Sequence, residues 1–342
     1  MIRYREKIDS FMQWFEKEHG TMEALMEKNE FRVAGELLLP QMEKVLPGFS
    51  FRLIKLAQPG QYGLELVTTL DSVKRLLAVF FCERLPESLR NQWQFYPGHP
   101  ALKQNWEKDG VRYRAESLRL VAMVQKKQRR IALFFEKNEH LAGLNEQDCF
   151  MILYVLLTEQ LGEAAVEAYI GPIQFLDRFN RLRLRGQPRI ALTELQSWLM
   201  KQCRLHGWPQ PEASLLVAHP YVRRPAHSRD RIEGVSLCPE LLDPSSQEAR
   251  AALQQIQAVE AGLFSAVLSC PKGSRPADRK RQLEPVEKQI DALLKQGGGQ
   301  IIHSAVARDR GMLDFLVIDP AVLKRIQDWA SGQPQLDILE IR

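Results

Sequence analysis

With 342 residues, 45% of them hydrophobic and 26% charged, the chain is longer than one ordinary core requires and fits about two domains. That balance excludes wholesale disorder and a fibrous or collagen-like repeat. A formal net charge of +5, from 47 Lys and Arg against 42 Asp and Glu, is too small to name a nucleic-acid partner.

Taken in chain order, residues 6–29 carry Ile8, Phe11, Met12, Phe15, Met22, Leu25 and Met26 at steps of three and four, which predicts a helix apolar on one face and interrupted at Gly20. A second helix follows over 31–45. After Pro47-Gly48 the period switches to two, predicting a strand over 49–56, a turn at Pro59-Gly60 and a second strand over 62–69. Asp71 is the expected N-cap of a helix through Phe80, and Trp93, Phe95 and Tyr96 form a short aromatic strand. The order β-β-α-β then returns, with strands over 118–124 and 131–135 around the basic turn 126–130 and a helix over 145–161. A strand over 169–179 and a helix over 193–203 close this half. Pro209, Pro211, Pro220 and Pro225 predict a largely irregular junction.

Beyond the junction, strands are expected over 215–218 and 232–237 and a helix over 246–261. A strand over 263–269, a helix over 279–295, a stop at Gly297-Gly298-Gly299, strands over 301–307 and 313–318, a helix opened by Asp319-Pro320 and a strand through Ile341 complete the chain. The fold class expected is α+β, with antiparallel sheets, helices packed on one face, and a C-terminal ferredoxin-like βαββαβ domain. The boundaries expected are an N-terminal α+β domain over 1–208, a Pro-rich junction over 209–231 and the ferredoxin-like domain over 232–342. The sheet face opposite the helices must be solvated, paired or covered, and the N-terminal domain is the natural cover.

Cys82, Cys149, Cys203, Cys238 and Cys270 are odd in number and widely spaced, the pattern of reduced buried thiols. The opening residues lack the apolar run of a secretory leader, and the most apolar stretch, 149–157, falls short of the roughly 20 residues that span a bilayer. A cytoplasmic protein with no membrane association is expected.

The segment 293–302 and the hairpin through Leu313-Asp314-Phe315 resemble, in element order and length, the domain of the bacterial regulator of ribonuclease E activity B. That resemblance implies a ferredoxin-like fold that acts by binding another protein. Glu65-Leu66-Val67-Thr68-Thr69, Trp93-Gln94-Phe95-Tyr96-Pro97-Gly98 and Leu161-Gly162-Glu163 resemble uncharacterised bacterial proteins, some of which accompany toxin and immunity systems. Kinship with these implies an immunity-like role without supplying a reaction.

Several constellations bear on chemistry. Cys203 and His206, with His219, His227 and Cys238, offer zinc-type ligands, but the later spacings match no finger and a buried thiol explains Cys203. No metal and no cofactor is therefore expected. His227, Ser228 and Asp230 could be nominated as a hydrolytic triad without a Gly-x-Ser-x-Gly elbow to support it. Glu159, Glu163 and Glu167 step by four and could hold a cation or act as acid and base, or line a solvated helix face.

The leading electrostatic feature is Arg178, Arg181, Arg183, Arg185 and Arg189. On a strand, Arg181, Arg183 and Arg185 would share one face, fit for acidic side chains or phosphates, or for guarding a sheet edge. A second basic cluster comprises Lys272, Arg275, Arg279, Lys280 and Arg281. Only Phe264 and Phe315 bring aromatics to the C-terminal core strands, so the basic-aromatic RNA-binding pattern is absent. The function expected is a non-enzymatic protein-binding or regulatory protein whose arginine row meets an acidic partner. The alternatives are a hydrolase or nuclease at the junction around His219, His227 and Asp230, and an RNA-binding regulator.

Overall fold

The computed structural model describes residues 1–68, 71–108, 110–177, 182, 184–224, 231–271 and 273–341. It is mixed α and β, and the chain clusters into two compact units. One holds Met1–Leu64, Asp71–Phe95 and Ala218–Arg342, the other Glu65–Leu70 and Tyr96–Val217. This division departs from the expected boundaries at 208 and 232, because the first ninety-odd residues cluster with the end of the chain.

Along this stretch of chain, α1 (Tyr4–Glu27), α2 (Phe31–Val45), β1 (Ser50–Lys55), β2 (Tyr62–Val67), α3 (Ser72–Cys82) and β3 (Trp93–Tyr96) follow one another, all in the first unit except β2 from Glu65 onward and Tyr96. Helix α1 runs through Gly20 without a break, since one glycine costs only about 1 kcal/mol against the burial of Phe11, Phe15, Met22 and Met26. Phe15 meets Trp93 and Phe95 edge-on at 4.9 and 5.1 Å, and Phe11 lies 4.9 Å from Phe81. Asp71 caps α3 as expected, accepting from Lys74 N at 2.9 Å. Asp71→Ala is expected to cost about 1 kcal/mol, readable as a lower urea midpoint.

The second unit carries the hairpin β4 (Trp106–Lys108) and β5 (Val111–Tyr113), whose three-residue strands are too short to show a period. It continues with β6 (Arg119–Gln125), β7 (Arg130–Phe135), α4 (Glu139–Ala142), α5 (Glu146–Leu161), α6 (Glu163–Tyr169), β8 (Ile170–Phe175), β9 (Ile190–Ala191) and α7 (Leu195–His206). Its four-stranded sheet has the order β8-β7-β6-β9. The β7–β8 pair is parallel rather than antiparallel, because the helical crossover between them returns the chain in the same direction. Ile131, Leu133 and Phe135 of β7 pack with Ile152, Leu153 and Leu156 of α5 on one face. No single helix among the described residues is long and apolar enough to cross a membrane.

The C-terminal part of the first unit is built from β10 (His219–Arg223), β11 (Ile232–Ser236), α8 (Gln247–Ala258), β12 (Gly262–Ser269), α9 (Pro276–Lys295), β13 (Gly299–Val306), β14 (Arg310–Val317), α10 (Pro320–Ala330) and β15 (Leu336–Glu340). The expected strand over 215–218 is displaced to β10, inside the segment read as irregular. Pro220 is tolerated there because β10 ends the sheet, where one N–H has no partner to lose. The strand order is β10-β11-β13-β14-β12-β15, with every pair antiparallel.

Helices α9 and α10 cover one face, where Leu283, Ile290 and Leu294 join Val322 and Ile326 over Phe264, Leu313 and Phe315. The opposite face is covered within the same unit: α8 packs on both α3 and β12, and Leu263 and Leu316 are buried. At the sheet end, Arg3 N and Tyr4 N donate to Glu260 O at 2.8 and 3.2 Å, and the Arg5 guanidinium pairs with Asp319.

Candidate functional site

The β10–β11 pair extends the first unit's sheet beyond its helices. Helix α9 packs on β13 and β14, and α10 on β14 and β15. Val235 lies opposite Ser304, whose hydroxyl donates to Glu287 Oε2 of α9 at 3.3 Å, so Val235 is on the α9 side of the sheet. Pro220 stands opposite Val235 and Val222 opposite Glu233, placing all four side chains on that same face. A groove of about 980 Å³ results, floored by Pro220, Val222 and Val235 and walled by Lys280, Glu284 and Glu287. Val222 and Val235 are 57% and 45% exposed, adjacent apolar side chains left in water beside a covered sheet.

On the other face, the register shifts between Ile301 and His303, and this bulge turns His303 away from the helices to meet Asp314. Its Nδ1 lies 2.7 Å from Asp314 Oδ2, and the Tyr221 ring is 5.0 Å away. A carboxylate-held imidazole is half of a catalytic dyad. Among the described residues no hydroxyl or thiol hydrogen-bonds to its Nε2.

The second unit holds a denser charge cluster, all of it buried or nearly so. His99 Nδ1 lies 3.2 Å from Glu65 Oε2 and its Nε2 3.0 Å from Glu159 Oε1. The His99 N–H donates to Glu163 Oε2 at 3.0 Å, and Glu163 N donates back to His99 O at 2.8 Å. Gly162, at φ 81°, separates α5 from α6 with a bend of 111°, which brings Glu159 and Glu163 around one histidine. Burial alone would lower the His99 pKa, but hydrogen bonding to Glu159 and Glu65 and their charges raise it to about 9. At neutral pH the ring is a cation with a carboxylate at each nitrogen. A cation held between carboxylates in this way braces the fold around it.

The residues singled out by sequence fare unevenly. Arg178, Arg181 and Arg183 lie outside the described residues, as do His227, Ser228 and Asp230. The strand expected to align the arginines is not found where the chain is described. Leu184–Gly186 is a turn, with Arg185 N donating to Leu182 O at 3.3 Å and Gln187 N to Leu184 O at 3.1 Å. Leu184 is buried while Leu182 is 75% exposed, so the two leucines do not share a face. Arg189 pairs with Glu136 at 2.9 Å, whereas Arg185 is exposed.

In the second basic cluster, the buried Arg279 donates to Ser274 O at 2.9 Å and to Arg308 O and so serves the fold, while the exposed Arg275 pairs with Asp278 at 3.0 Å. Lys272 lies outside the described residues. Burial pushes the Cys203 and Cys238 thiols above their ordinary range. No group of three metal-ligating side chains is found among the described residues. Of the three glutamates spaced by four, Glu159 and Glu163 converge on His99, a histidine that local spacing could not supply. Compared with known proteins, the chain matches no family model, no curated protein and no solved structure.

Proposed function

We propose that this chain is a non-enzymatic protein-binding module that docks its partner in the groove beside α9. The observation that carries the reading is the face of β10 and β11 that no helix among the described residues covers, where Val222 and Val235 stand exposed beside a sheet region covered by α9 and α10. A sheet face with apolar side chains gains from a second layer, and here that layer is left for a partner to supply. The scaffold is read as ferredoxin-like. Supporting this are the element order β12-α9-β13-β14-α10-β15, the strand order β13-β14-β12-β15, and a common face for both helices.

Against RNA binding, Phe264 and Phe315 are buried under the helices, so neither ring is open to stacked bases. Of the residues named in the hydrolase reading, His219 is described, and His227 and Asp230 lie outside the described residues. Of the arginines read as meeting an acidic partner, Arg185 is exposed, Arg189 pairs with Glu136, and Arg178, Arg181 and Arg183 lie outside the described residues.

A photo-crosslinking amino acid in place of Val235, in the full chain expressed in its source cells, tests the docking face. A discrete heteromeric adduct is expected from that position and not from Val111 in the other unit. Identical adducts from both positions would sink the proposed face.

A further inference from the structure

We propose that the occupant of this groove is an amphipathic helix with a basic face, laid alongside α9; the inference rests on the protein-binding reading above. Three features favour it. The first is width: two strands left bare among the described residues, spaced roughly 4.8 Å apart and next to one covered by α9, leave the breadth of one helix of about 10 Å diameter. A helix there continues the layer that α9 and α10 already form on the sheet, and Val222 and Val235, diagonal neighbours, offer it an apolar stripe.

Secondly, strand addition at this edge is disfavoured. Pro220 sits within the short outer strand and has no N–H to give to an added strand.

The third feature is charge. Along α9, Glu284, Glu287 and Asp291 step by three and four and line the groove, and Glu233 joins them from the floor. Lys280 and Lys288 are the amines on the same wall. Glu284 pairs with Lys288 at 3.2 Å, Asp291 with Lys295 at 2.7 Å and Glu233 with Arg231 at 2.6 Å, all through solvent-exposed cations that a partner can replace at little cost. Glu287, at the centre of the stripe and half-buried, accepts a hydrogen bond from the Ser304 hydroxyl and forms no ion pair among the described residues. A lysine or arginine presented at helical spacing would meet Glu287 in a partly desolvated setting, where charge pairing is stronger than at the surface.

The test uses the full chain and a fluorescent helix-forming Ala/Leu/Lys peptide about the length of α9, with leucines on one stripe. Two further probes are the same peptide with Glu for Lys, and a proline-interrupted Lys peptide that cannot form a helix. Anisotropy titrations are expected to show binding of the Lys helix alone, weakened about tenfold by Glu287→Lys and by Val235→Asp and further by added salt. Both variants must melt as the parent does, and Val222→Asp replaces Val235→Asp if the latter does not.

Equal or tighter binding of the Glu helix or the interrupted peptide, lost in Val235→Asp, overturns the basic-helix inference and leaves the docking groove standing. Lys-helix binding that ignores both substitutions also overturns it, as unspecific attraction. If no probe binds but the Val235 adduct persists, the helix fails and the protein-binding reading survives. If the adduct is absent as well, both fall.

Discussion

Replacing His99 by Gln is expected to destabilise the second unit by about 3 kcal/mol near pH 6.5 and to remove a pH dependence that the parent protein shows. The ring lies between Glu65 and Glu159 at 3.2 and 3.0 Å, and both of its nitrogens face carboxylates. Removing the cation leaves buried carboxylates facing a neutral side chain, a change that characteristically costs several kcal/mol. The sign of the pH effect follows from linkage. The folded-state pKa of about 9 lies above the ordinary histidine value of 6.5, so the contribution is fully present below pH 6.5. It declines between 6.5 and 9 and is absent above 9. Urea midpoints on either side of that window, near pH 6 and about pH 9.5, check this: the parent should lose stability between them, and His99→Gln should lose markedly less. Parallel falls in the two proteins would show that His99 is not the titrating brace.

Gly298→Ala should destabilise the first unit by about 3 kcal/mol, the sum of a backbone and a packing contribution. Gly298 has φ 96°, a conformation that costs a residue with a Cβ about 1–3 kcal/mol. An added Cβ would also fall 2.7 Å from Ile318 Cδ1 and 2.8 Å from its Cγ1, and Ile318 is buried. Overpacking of this kind adds about 1–3 kcal/mol. Gly60 separates the two effects, since it has φ 74° but nothing within 4 Å of the position an alanine methyl would take. Gly60→Ala should therefore cost only the backbone share, about 1 kcal/mol. Equal losses in the two variants, by thermal melt or urea midpoint, would argue against close packing at Gly298. The triple glycine is thus a point where the α9–β13 connection passes tightly over Ile318, in addition to the chain reversal read from its composition.

Periodicity and capping carried most of the C-terminal reading. The apolar stripes of α9 and α10 stand at 3.6-residue spacing, and Asp319 accepts from Ala321 N at 2.9 Å as an Asp-Pro helix start implies. Short elements escaped: β4 and β5 have three residues each, and β10 hides in a proline-rich run. In the arginine segment, hydrogen bonds at Arg185 and Gln187 close turns, while Arg178, Arg181 and Arg183 lie outside the described residues.

The His99 site shows where local reading stops. The spacing of Glu159, Glu163 and Glu167 marked the right carboxylates, yet their histidine stands 64 residues from Glu163 and 34 from Glu65. Gly162 also breaks the helix that the spacing assumed.

By itself, the sequence determined the helices and strands beyond β11, the caps at Asp71 and Asp319 and the buried state of most cysteines, because each depends on neighbours within a few positions. Tertiary structure alone decided that the first ninety-odd residues cluster with the C-terminal segment from Ala218 onward, that β7 and β8 run parallel, and that two strands carry exposed valines beside α9. These depend on which surfaces meet across long loops, and many such pairings satisfy one hydrophobic pattern equally well.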